Sequence, residues 1–277
     1  MTPKISIIIP TINRVFELEE LFNSLTKSNN KDFEILVIDQ NFDNKLEELV
    51  SAFKKKFDLN HFKILPKGAS NARNFGISVA VGDIFCFPDD DCKFFPNTID
   101  IALLTLEEQK CDVVFGKCID ELGNDSVIKW NLRSEFLTKK VHSSHFVEAT
   151  MFAKREIMTN YPYDEGLGVG TFHGAEEAYD LILRLLSKDV KIYYNKEIIF
   201  YHPNKVLNYS SESEIKRVFT YRCGFAKLCF KHQFYLKYFK RVMLVTLALP
   251  FYFLFNRQKV RYYLAELLGL LSGAVIL

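Results

Sequence analysis

The first half of the chain alternates short continuous apolar runs with longer segments whose apolar positions recur every three to four residues. The runs at 5–9, 33–38, 62–65, 84–87 and 113–115 predict buried strands, and the segments at 16–25, 46–57, 70–80 and 97–107 predict amphipathic helices. Strand and helix in this rhythm imply βαβ units, hence a largely parallel central sheet with helices on its faces. A less regular stretch follows to about residue 170. The pattern then predicts a helix at 176–187, strands at 191–194 and 198–201, and helix from about 213 to the end, interrupted at Pro250 and at 256–259.

Open sheets of this kind bind ligands beyond the carboxyl ends of their strands, so the residues after each strand carry the candidate chemistry. They are Pro10-Thr11-Ile12-Asn13-Arg14, then Asp39-Gln40-Asn41, then the segment leading to Ala72-Arg73-Asn74-Phe75-Gly76, and finally Pro88-Asp89-Asp90-Asp91. Three successive carboxylates at the end of a buried strand repel one another unless a cation offsets them. An oxygen donor set suits Mg²⁺ or Mn²⁺ and leaves coordination positions for phosphate. The competing reading is a solvated turn with Asp91 capping the helix near Pro96. In the metal reading Asp89 and Asp91 are the reaching pair, with Asp90 directed elsewhere. Asn13-Arg14 has a similar double reading, as a helix cap or as ligand contacts.

These blocks resemble, in order, those of the inverting nucleotide-sugar glycosyltransferases of family 2: Lys4-Ile5-Ser6-Ile7-Ile8-Ile9-Pro10-Thr11, Asp39, Ala72-Arg73-Asn74-Phe75-Gly76 and the aspartate run. Tyr163-Asp164-Glu165-Gly166-Leu167-Gly168 and Glu176-Glu177 with Asp180 and Arg184 resemble the family's acceptor-side blocks. The resemblance spans about residues 4–202 and implies a GT-A fold. It assigns Thr11 and Asp39 to the base and ribose of the donor, Arg73 to the base or diphosphate, and Asp90 to the donor-binding set. Asp89 and Asp91 would hold a Mn²⁺ or Mg²⁺ bridging the two phosphates. His202 would supply a further metal or diphosphate contact, with a structural histidine at a strand end as the equal alternative.

Inverting transfer needs a carboxylate to take the acceptor's proton, and here the sequence departs from the family pattern. Aligned without a gap from Asp180 and Arg184, Glu177 falls on the family's Glu and Ala178 on its usual Asp. One inserted residue instead makes Glu176-Glu177 the pair. Glu177 is the favoured base and Glu176 its rival. The lesser alternative is that both are N-terminal acids complementing a helix dipole. Trp130 and His173 are expected to be core rather than sugar contacts.

Composition sharpens the picture in two ways. With 48% hydrophobic residues in a chain of 277, a sizeable core is assured and general disorder excluded. The net charge of +2 is the sum of two unlike parts. Residues 1–204 hold 24 Lys and Arg against 31 Asp and Glu, a net of −7, while residues 205–277 hold 12 against 3, a net of +9. The six cysteines show no metal-ligand spacing and read as reduced thiols of a cytosolic protein. The first residues read directly into a strand with no secretory pattern.

The basic part contains two apolar runs, 242–255 and 262–277, and neither reaches the 18 consecutive apolar residues of a spanning segment. Lys237, Lys240, Arg241, Arg257, Lys259 and Arg261 surround these runs. This predicts helices lying in the interface of an anionic leaflet, the inner face of the cytoplasmic membrane. Packing on the sheet or a homodimer contact are the rival uses. No nucleic-acid-reading module is present.

The expected organisation is a GT-A catalytic domain over 1–204 with a helical, membrane-associating extension over 205–277. The expected activity is metal-dependent, inverting transfer of a sugar from a nucleotide-diphosphate donor, with a UDP-sugar preferred, to a lipid-linked glycan acceptor in surface-polysaccharide synthesis. The rivals are a nucleotidyltransferase, which would want a glycine-rich loop after the first strand, and a membrane-docked scaffold that has lost its base, which Ala178 keeps open.

Overall fold

The computed structural model describes residues 4–65, 67–139, 144–205 and 207–276. Met1–Pro3, on which the reading of the amino terminus rests in part, and Leu277, the last residue of the second apolar run, lie outside them. The chain forms two compact units. Met1–Lys67, Asn71–Pro162 and Leu181–Lys205 make the first; Gly68–Ser70, Tyr163–Asp180 and Val206–Leu277 make the second.

The first unit is built on a nine-stranded sheet. In chain order its elements are β1 (Ile5–Thr11), α1 (Val15–Thr26), β2 (Phe33–Asp39), α2 (Glu47–Phe53), β3 (Asp58–Lys63), α3 (Ala69–Val79), β4 (Ile84–Cys86), β5 (Lys93–Phe94) and α4 (Thr98–Glu108). There follow β6 (Val113–Ile119), β7 (Glu135–Phe136), β8 (Met151–Lys154), α5 (Arg155–Asn160), α6 (Glu177–Ser187), of which only the part from Leu181 belongs to this unit, and β9 (Ile192–Tyr201). The strand order is β3-β2-β1-β4-β8-β6-β9-β5, with β7 also on β9. β3, β2, β1 and β4 run parallel, as the βαβ rhythm requires. Beyond β4 the sheet becomes mixed, because β8 is antiparallel to both neighbours and β5 and β7 are antiparallel to β9.

Ile5, Ile7, Ile8 and Ile9 of β1 are wholly buried, which is why this strand reads as an unbroken apolar run. Each such side chain contributes about 1.5–3 kcal/mol by leaving water. Two departures from the expected pattern have physical causes. β3 starts at Asp58 instead of residue 62, because it is the sheet's edge and its outer positions face water. The two strands expected at 191–194 and 198–201 are one, since β9 pairs with β6 along its length and absorbs the polar middle as a register shift opposite Phe115 and Lys117.

The second unit is dominated by α7 (Glu212–Lys231), α8 (Tyr235–Phe255) and α9 (Arg257–Val275). Pro250 lies inside α8, so the expected interruption there is absent; the break expected at 256–259 narrows to Asn256, and a further one, not expected, falls at 232–234. α9 packs closely on α7 through Gly269 and Gly273, where a Cβ would overlap the backbone of Phe219 and Cys223. Buried Glu266 of α9 forms an ion pair with Arg222 of α7 at 2.6 Å and accepts a hydrogen bond from Arg241 Nε of α8 at 2.8 Å, tying the three helices together.

Candidate active site

The loops after β1, β2 and β4 bring one set of polar side chains together in the first unit. Buried Thr11, at the end of β1, donates its hydroxyl to Asp90 Oδ2 at 2.8 Å. Arg14 pairs with Asp91 and approaches Asp90 Oδ1 at 3.4 Å. Burial works to lower the Arg14 pKa, but Asp90 and Asp91 more than offset it and hold the guanidinium above its ordinary value. Burial also pushes the Asp90 carboxyl up to about 7, against the pull of Arg14 and the Thr11 hydrogen bond. Arg73, brought in by α3 and itself 4% exposed, reaches Asp89 Oδ1 at 3.2 Å.

These contacts decide two questions that the sequence left open. Asp91 bonds Arg14, whereas the N-cap of α4 is Asn97, so Asp91 is not that helix's cap. Arg14 occupies the N-cap position of α1 but makes no side-chain capping bond; its guanidinium goes to the aspartate run instead.

His202 follows β9, and its Nε2 lies 3.5 Å from Asp91 Oδ1. Asp91, Cys92 and His202 each offer a donor atom within 4.8 Å of the others. The Cys92 thiol is buried, which pushes its pKa well above the usual thiol value and keeps it protonated. The competent donors are therefore carboxylate oxygen and imidazole nitrogen; the oxygen suits Mn²⁺ or Mg²⁺, and the imidazole favours Mn²⁺ of the two. Asp89, engaged with Arg73, sits outside that cluster.

Asp39, at the end of β2, is fully buried. It accepts from the Asn41 backbone at 2.8 Å, from the Asn41 side-chain amide at 2.7 Å and from His61 Nε2 at 3.0 Å. Sequence reasoning missed His61. The only signal for it is the parallel register of β2 with β3, which places His61 opposite Val37, and register is a property of the folded sheet.

Of the expected acceptor-side residues, 163–168, Glu176, Glu177 and Asp180 lie in the second unit and Arg184 in the first. Glu177 opens α6 and is 7% exposed, packed beneath the loop of Gly168, where a Cβ would come within 3.0 Å of its carboxylate. Gly168 has φ +106°, so the loop approaches at a conformation that glycine alone takes easily. Ser70, at the start of α3, donates to the Leu167 carbonyl of the same loop at 2.7 Å. Glu176 has φ +76°, a strained setting for a residue with a Cβ. Burial raises its pKa, opposed by Lys237 and Arg222 and reinforced by Glu177. Buried Asp180 accepts from His232 Nε2 and Lys231 Nζ, both at 2.8 Å. Trp130 stacks on Tyr194 in the first unit, and His173 donates to the Ile276 carbonyl at 2.7 Å in the second.

A carboxylate–imidazole donor set beside two guanidinium groups thus lies beyond the carboxyl ends of parallel strands, where open α/β sheets bind ligands. The glycosyl transferase family 2 model matches residues 6–176, more than half of the chain, and the chain belongs to that family. It is 33% identical over 143 residues to a glycosyltransferase of Rickettsia felis, covering 52% of this chain and 22% of that one. It is 31% identical over 126 residues to the GalNAc(5)-diNAcBac-PP-undecaprenol beta-1,3-glucosyltransferase of Campylobacter jejuni, covering 44% of this chain and 40% of the relative. The chain thus spans less than half the length of either. The mannosyltransferase PcManGT of Pyrobaculum calidifontis, solved with GDP-Man and Mn²⁺, superposes with a TM-score of 0.60 at 15% identity, over 99% of this chain and 74% of that one, a likeness of fold.

Proposed function

We propose that this glycosyltransferase is inverting and metal-dependent, and that it moves one sugar from a UDP-linked donor to a lipid-linked glycan acceptor at the inner face of the cytoplasmic membrane. The observation that carries the reading is the meeting of Asp91 with His202 beside the Arg14 and Arg73 pairs at the carboxyl edge of the sheet. Asp91 and His202 would hold Mn²⁺ or Mg²⁺, and Asp89 would join them only by exchanging its pairing with Arg73 for the cation. Once bound, that ion supplies positive charge to the departing diphosphate. Arg73 and Arg14 supply further positive charge fixed in advance, which favours the charge developed as the leaving group departs. Thr11 and Asp39 are assigned to the nucleoside, and Asp90, held by Thr11 and Arg14, shapes its floor.

In the chemical step the acceptor oxygen forms a bond to the anomeric carbon from one face. The bond from that carbon to the diphosphate oxygen breaks on the other, and the nucleoside diphosphate departs with the electron pair. The acceptor's proton passes to a carboxylate of the Glu176–Glu177 pair. The apolar, cation-flanked helices α8 and α9 support residence at an anionic leaflet, and the Campylobacter relative's undecaprenol-linked substrate supports an acceptor of that class.

The test is nucleotide release from a panel of UDP- and GDP-sugars with Mn²⁺, with and without polyprenyl-linked acceptors. Asp91→Asn should lower release by at least about 100-fold and weaken Mn²⁺-dependent donor binding in calorimetry. Release of pyrophosphate instead of a nucleoside diphosphate would indicate the nucleotidyltransferase chemistry. No turnover with any donor would leave the reading without support.

A further inference from the structure

Asp91 and His202 each have one polar atom held by a partner and another turned toward its neighbour. Asp91 Oδ2 takes the Arg14 guanidinium, while its Oδ1 lies 3.5 Å from His202 Nε2. His202 Nδ1 is 2.9 Å from the Pro203 carbonyl, which can only accept, so Nδ1 carries a hydrogen and the neutral ring presents its lone pair at Nε2. An imidazole lone pair and a carboxylate oxygen thus lie together, each oriented by a partner behind it. Metal-ligating imidazole and carboxylate groups are held in this way.

The third donor sets this site apart from an oxygen-only one. Cys92 adds a sulfur, and the three donor atoms, one from each residue, all lie within 4.8 Å of one another. The Cys92 amide donates to the Asp89 carbonyl at 3.0 Å, closing the turn that sets Asp91 and Cys92 side by side. One oxygen, one nitrogen and one sulfur do not make the near-octahedral oxygen shell that Mg²⁺ demands. They match the three protein ligands of an open zinc site, where bonds of ~2.0–2.3 Å at the tetrahedral angle place neighbouring donor atoms about 3.3–3.6 Å apart. The separation of Asp91 Oδ1 from His202 Nε2 falls in that span. In the free protein the Cys92 thiol keeps its proton, and an oxygen-seeking ion leaves it there. Zinc displaces it: as the Zn–S bond forms, the proton passes to solvent.

We propose that Asp91, Cys92 and His202 bind Zn²⁺ through oxygen, sulfur and nitrogen, and that zinc so held arrests the transferase by taking the place of the ion that serves the diphosphate. A four-coordinate zinc with three protein ligands has one position left, whereas an ion bridging two phosphates needs at least two. The arrest rests on the metal-dependent glycosyl-transfer reading; the zinc site does not.

The experiment uses the full chain, stripped with a chelator and titrated calorimetrically with Zn²⁺ and, separately, with Mn²⁺; its Co²⁺ form is read by absorption. Cobalt should give a thiolate charge-transfer band in the near ultraviolet and the intense visible bands of a four-coordinate ion. Cys92→Ser should abolish the charge-transfer band and weaken Zn²⁺ at least about 100-fold, while Mn²⁺ affinity changes less than about threefold. His202→Ala should weaken both ions. In nucleotide release driven by Mn²⁺, zinc should inhibit the wild type. Its half-inhibiting concentration, measured against each protein's own uninhibited rate, should rise by the same factor in Cys92→Ser. A wild-type cobalt spectrum without the thiolate band overturns the site, whether or not the variants fold. Equal loss of Zn²⁺ and Mn²⁺ affinity in Cys92→Ser also overturns it, as the mark of a thiol that serves packing alone. Zinc inhibition undiminished in Cys92→Ser overturns the arrest. A wild type that releases nucleotide from no donor fails the glycosyl-transfer reading and the arrest with it; the cobalt and calorimetric arms still decide the zinc site.

Discussion

At the residue scale, the carboxylates of the first unit carry unequal burdens. Asp39 satisfies three donors in a place water does not reach, so its first role is to hold the ends of β2 and β3 together. Asp39→Ala leaves the Asn41 donors and His61 without that acceptor and should cost about 2–3 kcal/mol of stability, seen as a lower urea midpoint with an unchanged slope. Burial draws Asp90 towards its protonated form against the pull of Arg14 and Thr11, whereas Asp91 meets an imidazole and a guanidinium at once. The aspartate run was legible in the sequence as a cluster, because three like charges after an apolar strand demand a counterion. Which residues supply the counter-charge was not legible. Arg14 and His202 are 77 and 111 positions away from Asp91, and only the folded sheet brings them to it.

At the scale of elements, β1, β2, α1 and α4 were readable nearly to the residue, because each buries one face and shows it as period. β5, β7 and β8 left no period, at two to four residues apiece. The contact of α7 with α9 was hidden differently. Gly269 and Gly273 stand four apart on α9, yet in the sequence they look like weak points of a helix rather than its docking seam. Glu266 belongs to the same seam. Glu266→Ala strands Arg222 and Arg241 and should cost about 2 kcal/mol, less than the ~3–5 kcal/mol of a fully buried pair, because both guanidinium groups keep some contact with water. Calorimetry, with limited proteolysis at α8 as a second readout, checks it.

At the scale of the whole chain, the charge division between residues 1–204 and 205–277 acquires a structural counterpart in α8. Counting consecutive apolar residues understates this helix. It has 21 residues with a mean hydropathy of 1.4 over its best window, which is 11% buried, and by length and composition it is sufficient to cross a membrane. Leu236, Phe239, Met243, Leu247, Phe251 and Leu254 recur along it at helical spacing, all exposed, and Leu264, Leu268, Leu271 and Val275 do the same on α9. Lys237, Lys240, Arg257 and Arg261 are exposed beside them. Co-flotation with phosphatidylglycerol vesicles is therefore expected, partly reversed by salt, which screens the cations. Leu247→Glu with Phe251→Glu should reduce it about 10-fold or more. A protein that stays in the aqueous phase as a stable dimer would assign the same face to a second copy.

All six cysteines are free and buried, and this has a practical consequence for that question. Thiols shielded from solvent react slowly with bulky reagents, so a single cysteine introduced at Leu247 or Leu268 would be the fast-reacting position for a nitroxide or an environment-sensitive dye. Labelled in turn along α8 and α9, the native chain becomes its own depth gauge. The series of accessibilities to oxygen and to a water-soluble quencher would distinguish a helix lying in the interface from one threaded through it.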